Sequence, residues 1–506
     1  MIIIRKTVIA FLPFTISIAL YSFAFLPFYF FTLLPFPPFT LLLFYSFTFT
    51  HYMDNSKQAT LELGTKPVGR LLMQYALPAI AAMTAASLYN MTDSIFIGQG
   101  CGPLAISGLA ITFPLQNLGA AFGAGVGVGA STCISVKLGQ KDYNTAERVF
   151  GNAVTLNIII GIAFSVITLL FLNPILLFFG ASEATLPYAR EYMVITLAGN
   201  AISHMFFGMN AILRAASKPR SAMMASIMTV ILNAILSPIF IWPLHMGIGG
   251  AALATIIAQA TVLAWQLRIF SNPQCIVHFR RGIYRPVSHI IKNILAIGMS
   301  PFAMNVCSCI VIIFINNALM RYGGDLAVGA FGICNKIAFI FVMINMGMNQ
   351  GMFPIAGYNY GACHYDRLLL ALKYTMCVAV CIATTGFIIA QTIPYECARL
   401  FTTDETLIRI SAHAIRVIML VFPVVGVQMV CTGFFQSIGK AKVSMFLSLS
   451  RQLLFLLPLL IVLPNFYQTD GVWYAQPISD FISAVVAVTM LTAYIKRLKK
   501  SAPATM

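Results

Sequence analysis

The sequence predicts an all-α polytopic membrane protein, with twelve transmembrane helices in two homologous six-helix bundles around a central cavity. Three observations lead there. First, the 506 residues are 59% hydrophobic and 9% charged, with a mean hydropathy of +0.87; soluble domains carry about 25% charged residues. Second, twelve apolar runs follow Arg70, separated by short polar loops whose charge alternates. Third, the chain repeats itself at an offset of 222 or 223 residues. The net charge of +17 would suggest nucleic acid in a soluble protein, but its placement in alternate loops points to an anionic membrane face instead.

Taken in order, residues 1–52 form an apolar extension rich in Phe, Leu, Pro, Tyr, Thr and Ser, with Arg5 and Lys6 as its charges. No Ala-x-Ala-like cleavage site closes it, and Pro13, Pro27, Pro35, Pro37 and Pro38 would break a spanning helix repeatedly. We expect Met53 to be the natural start, leaving 1–52 non-native or dispensable. The N-terminal bundle, 53–270, holds runs at about 71–97, 104–130, 150–172, 187–211, 221–243 and 249–270. A basic linker, 271–292, precedes the C-terminal bundle and its basic tail, 293–506. The runs of that bundle lie at about 291–319, 326–350, 369–393, 407–432, 443–464 and 471–495. Lys and Arg crowd the loops at 131–149, 214–220, 271–292, 363–373 and 438–442 and the tail. The opposite loops hold Glu183, Asp325, Glu396, Asp404, Glu405 and Asp470. This pattern places both termini in the cytoplasm.

The repeat sets Leu213-Arg-Ala-Ala-Ser-Lys218 over Phe435-Gln-Ser-Ile-Gly-Lys440, and Ser135-Val-Lys-Leu-Gly139 over Gly357-Tyr-Asn-Tyr-Gly361. One residue more sets Pro78 over Pro301 and Asp93 over Asn316. Halves repeated in the same orientation usually face each other around a cavity and rock to alternate access.

The first run carries the sharpest chemistry. Pro78 removes a helix hydrogen bond and creates a bending point. Asp93 lies about 22 Å further along the helix. A carboxylate at membrane depth costs several kcal/mol unless it faces a polar cavity or binds a cation; the plainer reading is a residue that caps a helix end. Of the fourteen acids, only Asp93 and Asp480 fall within apolar helices, and Asp480 stands near the outer end of the last run after Pro477. Tyr89 shares the face of Asp93 four residues earlier. Asn233 and Ser237, and Thr255 and Gln259, repeat the i, i+4 polar spacing, and Asn210 closes the fourth run. Such pairs often serve only as interhelical hydrogen bonds. Lys336 is a cation well inside the eighth run, either gating substrate or meeting backbone carbonyls.

The stretch Phe341–Phe353 includes Met346 and Met348, which could line a promiscuous cavity or simply pack against helices and lipid. The Gly-rich run 119–129 follows no strand and precedes no Gly-Lys-Ser/Thr, so it reads as close helix packing rather than a nucleotide site. Eleven Cys lack zinc or Cys-x-x-Cys spacing, and seven scattered His form no cluster. Without a nucleotide site, an ion gradient must supply the energy.

Together these motifs resemble the multidrug and toxic compound extrusion (MATE) transporters over residues 66–497, and are most similar to their DinF-like prokaryotic branch with its MepA-type pumps. The resemblance rests on Pro78 with Asp93-Ser-Ile-Phe-Ile-Gly98 and on Leu213–Pro219. It rests equally on Leu232-Asn-Ala-Ile-Leu-Ser-Pro-Ile-Phe240, Gly249–Thr255 and Gly357–Gly361. It implies the MATE fold, bending at Pro78 when Asp93 is protonated, and cation-site roles for Asn210, Asn233 and Thr255. Ser237 departs from the branch, which commonly has Asp there.

The expected function is a cation-coupled antiporter, not an enzyme. It would export amphipathic, cationic drugs across the bacterial inner membrane in exchange for H⁺ or Na⁺, acting as a monomer. No cofactor or nucleic acid is expected, and no metal beyond a possible Na⁺ at Asp93. The alternatives are a lipid-linked oligosaccharide flippase, which would need Arg and Lys in its cavity, or a membrane-embedded enzyme or receptor. Against a flippase, Lys336 and Arg416 are the only cations expected at membrane depth.

Overall fold

The computed structural model describes residues 56–280, 282–402 and 404–501, all in helices and connecting turns. The extension 1–52 and the expected start at Met53 lie outside the described residues. The helices are α1 (Ser56–Thr65), α2 (Val68–Cys101), α3 (Pro103–Gly139), α4 (Tyr143–Leu170), α5 (Leu172–Phe178), α6 (Leu186–Ala198) and α7 (Asn200–Ala215). There follow α8 (Pro219–Ile241), α9 (Gly247–Phe270), α10 (Ser288–Gly361), α11 (Tyr365–Thr392) and α12 (Pro394–Arg399). The chain ends with α13 (Glu405–Ile418), α14 (Phe422–Ser437), α15 (Ala441–Leu449), a π-helical segment (Ser450–Leu456), α16 (Leu457–Val462) and α17 (Pro464–Ser501).

Among the described residues nine helices are long and apolar enough to cross a membrane, and two bent pairs raise the number to eleven. The pairs are α6 with α7, bent by 57°, and α13 with α14, bent by 52°; each occupies one of the expected runs. Helix α10 contains two runs, broken at Gly324, whose φ of 66° favours a residue without a side chain. Helix α2, with Pro78 and Asp93 inside it, is the twelfth long element.

Close backbone contact decides how the halves meet. A Cβ on Gly139 would run into the Tyr358 carbonyl, and one on Gly361 into the Val136 carbonyl. These two contacts interconvert under the offset of 222 residues seen in the sequence. The same holds for Gly351 against Ala76 and Gly129 against Gly298, so the repeat is realised as a pseudo-two-fold packing of α2 and α3 on the two arms of α10.

The buried apolar residues form one large cluster and smaller ones. The large cluster draws on both halves and includes Leu63, the linker residues Ile276 and Ile283, and Leu498 near the chain end. At the opposite end the clusters separate: one joins residues of the N-terminal half, from Ile97 to Ala252, and another those of the C-terminal half, from Val311 to Ala475. The halves therefore share a core where the linker and tail lie, and keep separate cores at the other end.

The linker is tied down rather than loose. Asn152 of α4 donates to the carbonyls of Ile283 and Arg285 and accepts from the Val287 amide at 2.9 Å. Phe279 packs its ring beside Phe150 and Phe270. Beside it, Thr145 holds the Asp142 carboxyl, the cap of α4, below the usual carboxylate range.

Candidate functional site

Asp93 lies in the second half of α2, with 6% of its surface exposed. That half of the helix packs on α8: Gly100 abuts Ile241, and the rings of Phe96 and Trp242 meet edge-on at 5.9 Å. Facing Asp93 is Ser237, fully buried, whose Oγ stands 3.3 Å from Asp93 Oδ1 and 3.0 Å from Asn233 Oδ1. Asn233 donates through Nδ2 to Thr255 Oγ1 at 2.8 Å, and Thr255 donates to the Ala251 carbonyl at 3.1 Å. Helices α2, α8 and α9 are thus linked by one hydrogen-bond chain. Tyr192 of α6, which sequence reasoning missed, is buried within electrostatic reach of Asp93; as an apolar-run tyrosine it gave no distinguishing signal.

The far end of the chain sets its direction. The Thr255 proton is committed to a carbonyl one turn back, so Thr255 can only accept from Asn233. The Asn233 amide must then point its nitrogen at Thr255 and its oxygen at Ser237. A hydroxyl has one proton, and here it has two candidate acceptors. Turned to Asn233, it presents a lone pair to Asp93, a contact that a protonated carboxyl completes by donating. Turned to Asp93, it withdraws the proton from the Ser237–Asn233 contact. Every bond of the chain runs one way when Asp93 carries the proton.

Of the expected site residues, the structure brings together Asp93, Ser237, Asn233 and Thr255. Asn210 is elsewhere: it donates to the Ala222 carbonyl and to Ser226, and accepts from Arg214 at 2.6 Å. Ala222 lies eleven residues before Asn233 on α8, about 16 Å along the axis. Pro78 is buried within α2, and the side chain of Tyr89 lies outside the described residues. Lys336 is exposed and sits over the Phe401 ring at 5.7 Å. Met348 is packed in the shared core, whereas Met346 is half-buried. Gln259 accepts from the hydroxyl of Ser203 on α7.

In the C-terminal half Asp480 is buried and faces Arg451, whose Nη1 stands 3.6 Å from Oδ1. Arg451, midway along the eleventh run, is a cation inside an apolar run in addition to the expected Lys336 and Arg416. Its signal is a lone Arg in an apolar run, which hydropathy averaging hides. Around the pair, Gln476 donates to Asp480 Oδ2, Ser479 to the Arg451 carbonyl and Gln452 to Ser308. Arg451 lies inside the π-helical segment, where the turn is widened and carbonyls are released for partners such as Ser479.

The MatE family model matches residues 78–239 and 297–462, one stretch in each half. The multidrug export protein MepA of Staphylococcus haemolyticus is 26% identical over 429 residues, covering 85% of this chain and 94% of that protein. MepA of Staphylococcus aureus strain N315 gives the same identity over 431 residues, again covering 85% of this chain and 94% of that protein. Among solved structures, the MATE multidrug transporter DinF-BH is 34% identical, with a TM-score of 0.79. That alignment covers 85% of this chain and 96% of that one. An outward-facing MATE family transporter of the MOP superfamily shares the fold, with a TM-score of 0.83 at 24% identity, covering 89% of this chain and 100% of the other.

Proposed function

The chain belongs to the MatE family of multidrug export transporters, and from that membership we propose that it is a proton-coupled antiporter in which Asp93 carries the proton. It is a multi-pass membrane transporter and not an enzyme. The observation that carries the proposal is the hydrogen-bonded chain that joins Asp93, Ser237, Asn233 and Thr255, in which the single proton of Ser237 faces two acceptors, Asp93 and Asn233. A proton on Asp93 completes the chain and removes an isolated charge from a buried site, a combination that favours H⁺ over Na⁺ as the coupling ion.

The remaining parts follow from placement. The basic loops put the shared core at the cytoplasmic side, so the separate cores diverge outward and the chain is read in an outward-open state. A proton arriving from outside binds at Asp93. The half of α2 beyond Pro78, held to α8 through Ser237, then shifts relative to the half packed on α10, and the cavity contracts. Substrate and proton each favour release of the other by linkage. The substrates are amphipathic organic cations, drawn to the carboxylate of Asp93, and transport proceeds in the monomer across a bacterial inner membrane.

The test is efflux of a lipophilic cationic dye from reconstituted vesicles with ΔpH and ΔNa⁺ imposed separately. We expect ΔpH alone to drive efflux. Efflux driven by ΔNa⁺ alone would exclude the proton as coupling ion.

A further inference from the structure

At the end where the cores diverge, the C-terminal half holds a cavity of about 540 Å³. It lies between the break in α10, the helix α13 and the start of α17. Arg409, His413 and Arg416 of α13 line it together. Their i, i+4, i+7 spacing stacks them on one helix face over two turns, about 10 Å. This basic stripe stands on the side whose loops hold Glu183, Asp325, Glu396, Asp404, Glu405 and Asp470. His413 Nε2 is 3.1 Å from Asp470 Oδ1, and the Arg416 guanidinium covers the Tyr395 ring at 5.5 Å. Among the described residues neither arginine of the cavity meets a carboxylate. Trp473 supplies an apolar wall.

We propose that this cavity binds the oxyanion of an amphipathic molecule, a phosphate or carboxylate carried on an apolar body. Two guanidiniums two turns apart offer forked N–H donors that match an oxyanion better than a point charge does. Asp470, a carboxylate that lines the same cavity, contacts His413 rather than either arginine. Trp473 and the Tyr395 ring accept the apolar part. Exposed Tyr395, Phe401, Phe466 and Tyr467 mark the same end as an aromatic interface level, where phospholipid headgroups and amphipathic solutes both concentrate. The site is separate from Asp93 and does not depend on the coupling ion.

The experiment uses the purified full chain in phosphatidylcholine nanodiscs, titrated with dodecyl phosphate and read by tryptophan emission. Subtracting the response of Trp473→Phe removes the signal of Trp242 and Trp265. We expect a saturable change assigned to Trp473, weakened about tenfold or more in Arg409→Gln/Arg416→Gln. It should be unaltered in Arg399→Gln, an outer arginine paired with Glu396 outside the cavity. Dodecyl maltoside, neutral and of equal chain length, should give no such change. Tighter binding of dodecyl phosphate than of inorganic phosphate assigns the site to amphipathic oxyanions. Replacing phosphatidylcholine by phosphatidylglycerol then distinguishes a lipid headgroup, which competes, from a solute. No Trp473 response in the unaltered protein, an equal response to dodecyl maltoside, equal affinity for inorganic phosphate, or binding indifferent to both arginines would overturn the proposal.

Discussion

At the scale of single residues, the proposed coupling site turns on one hydroxyl proton shared between two oxygens. Ser237→Ala removes it and breaks the link between Asp93 and Asn233. A hydrogen bond to a charged partner contributes about 1.5–3 kcal/mol, so we expect ΔpH-driven efflux to fall about tenfold or more, while the protein still folds, as measured by initial rates in vesicles. Ser237→Asp places a second carboxylate against Asp93 in a fully buried position. Two such acids cannot both ionise without a cation between them, and we expect efflux to gain Na⁺ dependence; unchanged insensitivity to Na⁺ would show that this position does not set ion choice. Asn233 and Ser237 were legible as a pair because polar side chains four apart in an apolar run must share a face, and Asp93 as an acid in an apolar helix. That these meet one another was not legible, because spacing along one helix carries no information about depth on its neighbour. Asn210, grouped with them by resemblance alone, joined a different network.

At the scale of elements, the irregular helices are where long-range contacts override local sequence. Twelve apolar runs foretold the spans, yet neither the 57° bend at Gly199 nor the π-helical segment was apparent. The bend depends on packing: a Cβ on Gly199 would strike Ile256 of α9. The widened turn carries Arg451, which pairs with Asp480 on another helix, a contact that local sequence does not show. Arg451→Leu leaves that buried carboxylate without its cation, and breaking such a pair costs about 3–5 kcal/mol. We therefore expect a lower melting temperature in detergent, largely restored by adding Asp480→Leu; equal stability of all three proteins would show that the pair contributes nothing. In α2, Pro78→Ala returns a backbone donor and removes the bending point. Slower efflux with unchanged dye binding is the expected result, checked by comparing transport rates with binding by fluorescence anisotropy.

At the scale of the whole molecule, the repeat read from the sequence became a pseudo-two-fold contact that closes one end. Gly139 and Gly361 allow the two backbones to touch there, each against a carbonyl of the other half. Gly361→Val inserts a branched side chain into that contact, and we expect it to hold the linker ends apart. Spin-label distances between α4 and α11 at that end should lengthen, and efflux should fail with the protein folded. What the sequence could not show was the separation of the cores at the other end, since hydropathy registers burial but not the partner that provides it. The measurement that bears most directly on the coupling role is proton release from purified protein in unbuffered solution when a lipophilic cation is added. The unaltered protein, near the pH where its site is protonated, should release up to about one proton per molecule, and Asp93→Asn should release none while still binding the cation. Full release from Asp93→Asn, or its loss in Asp480→Asn instead, would contradict the assignment of the coupling proton to Asp93.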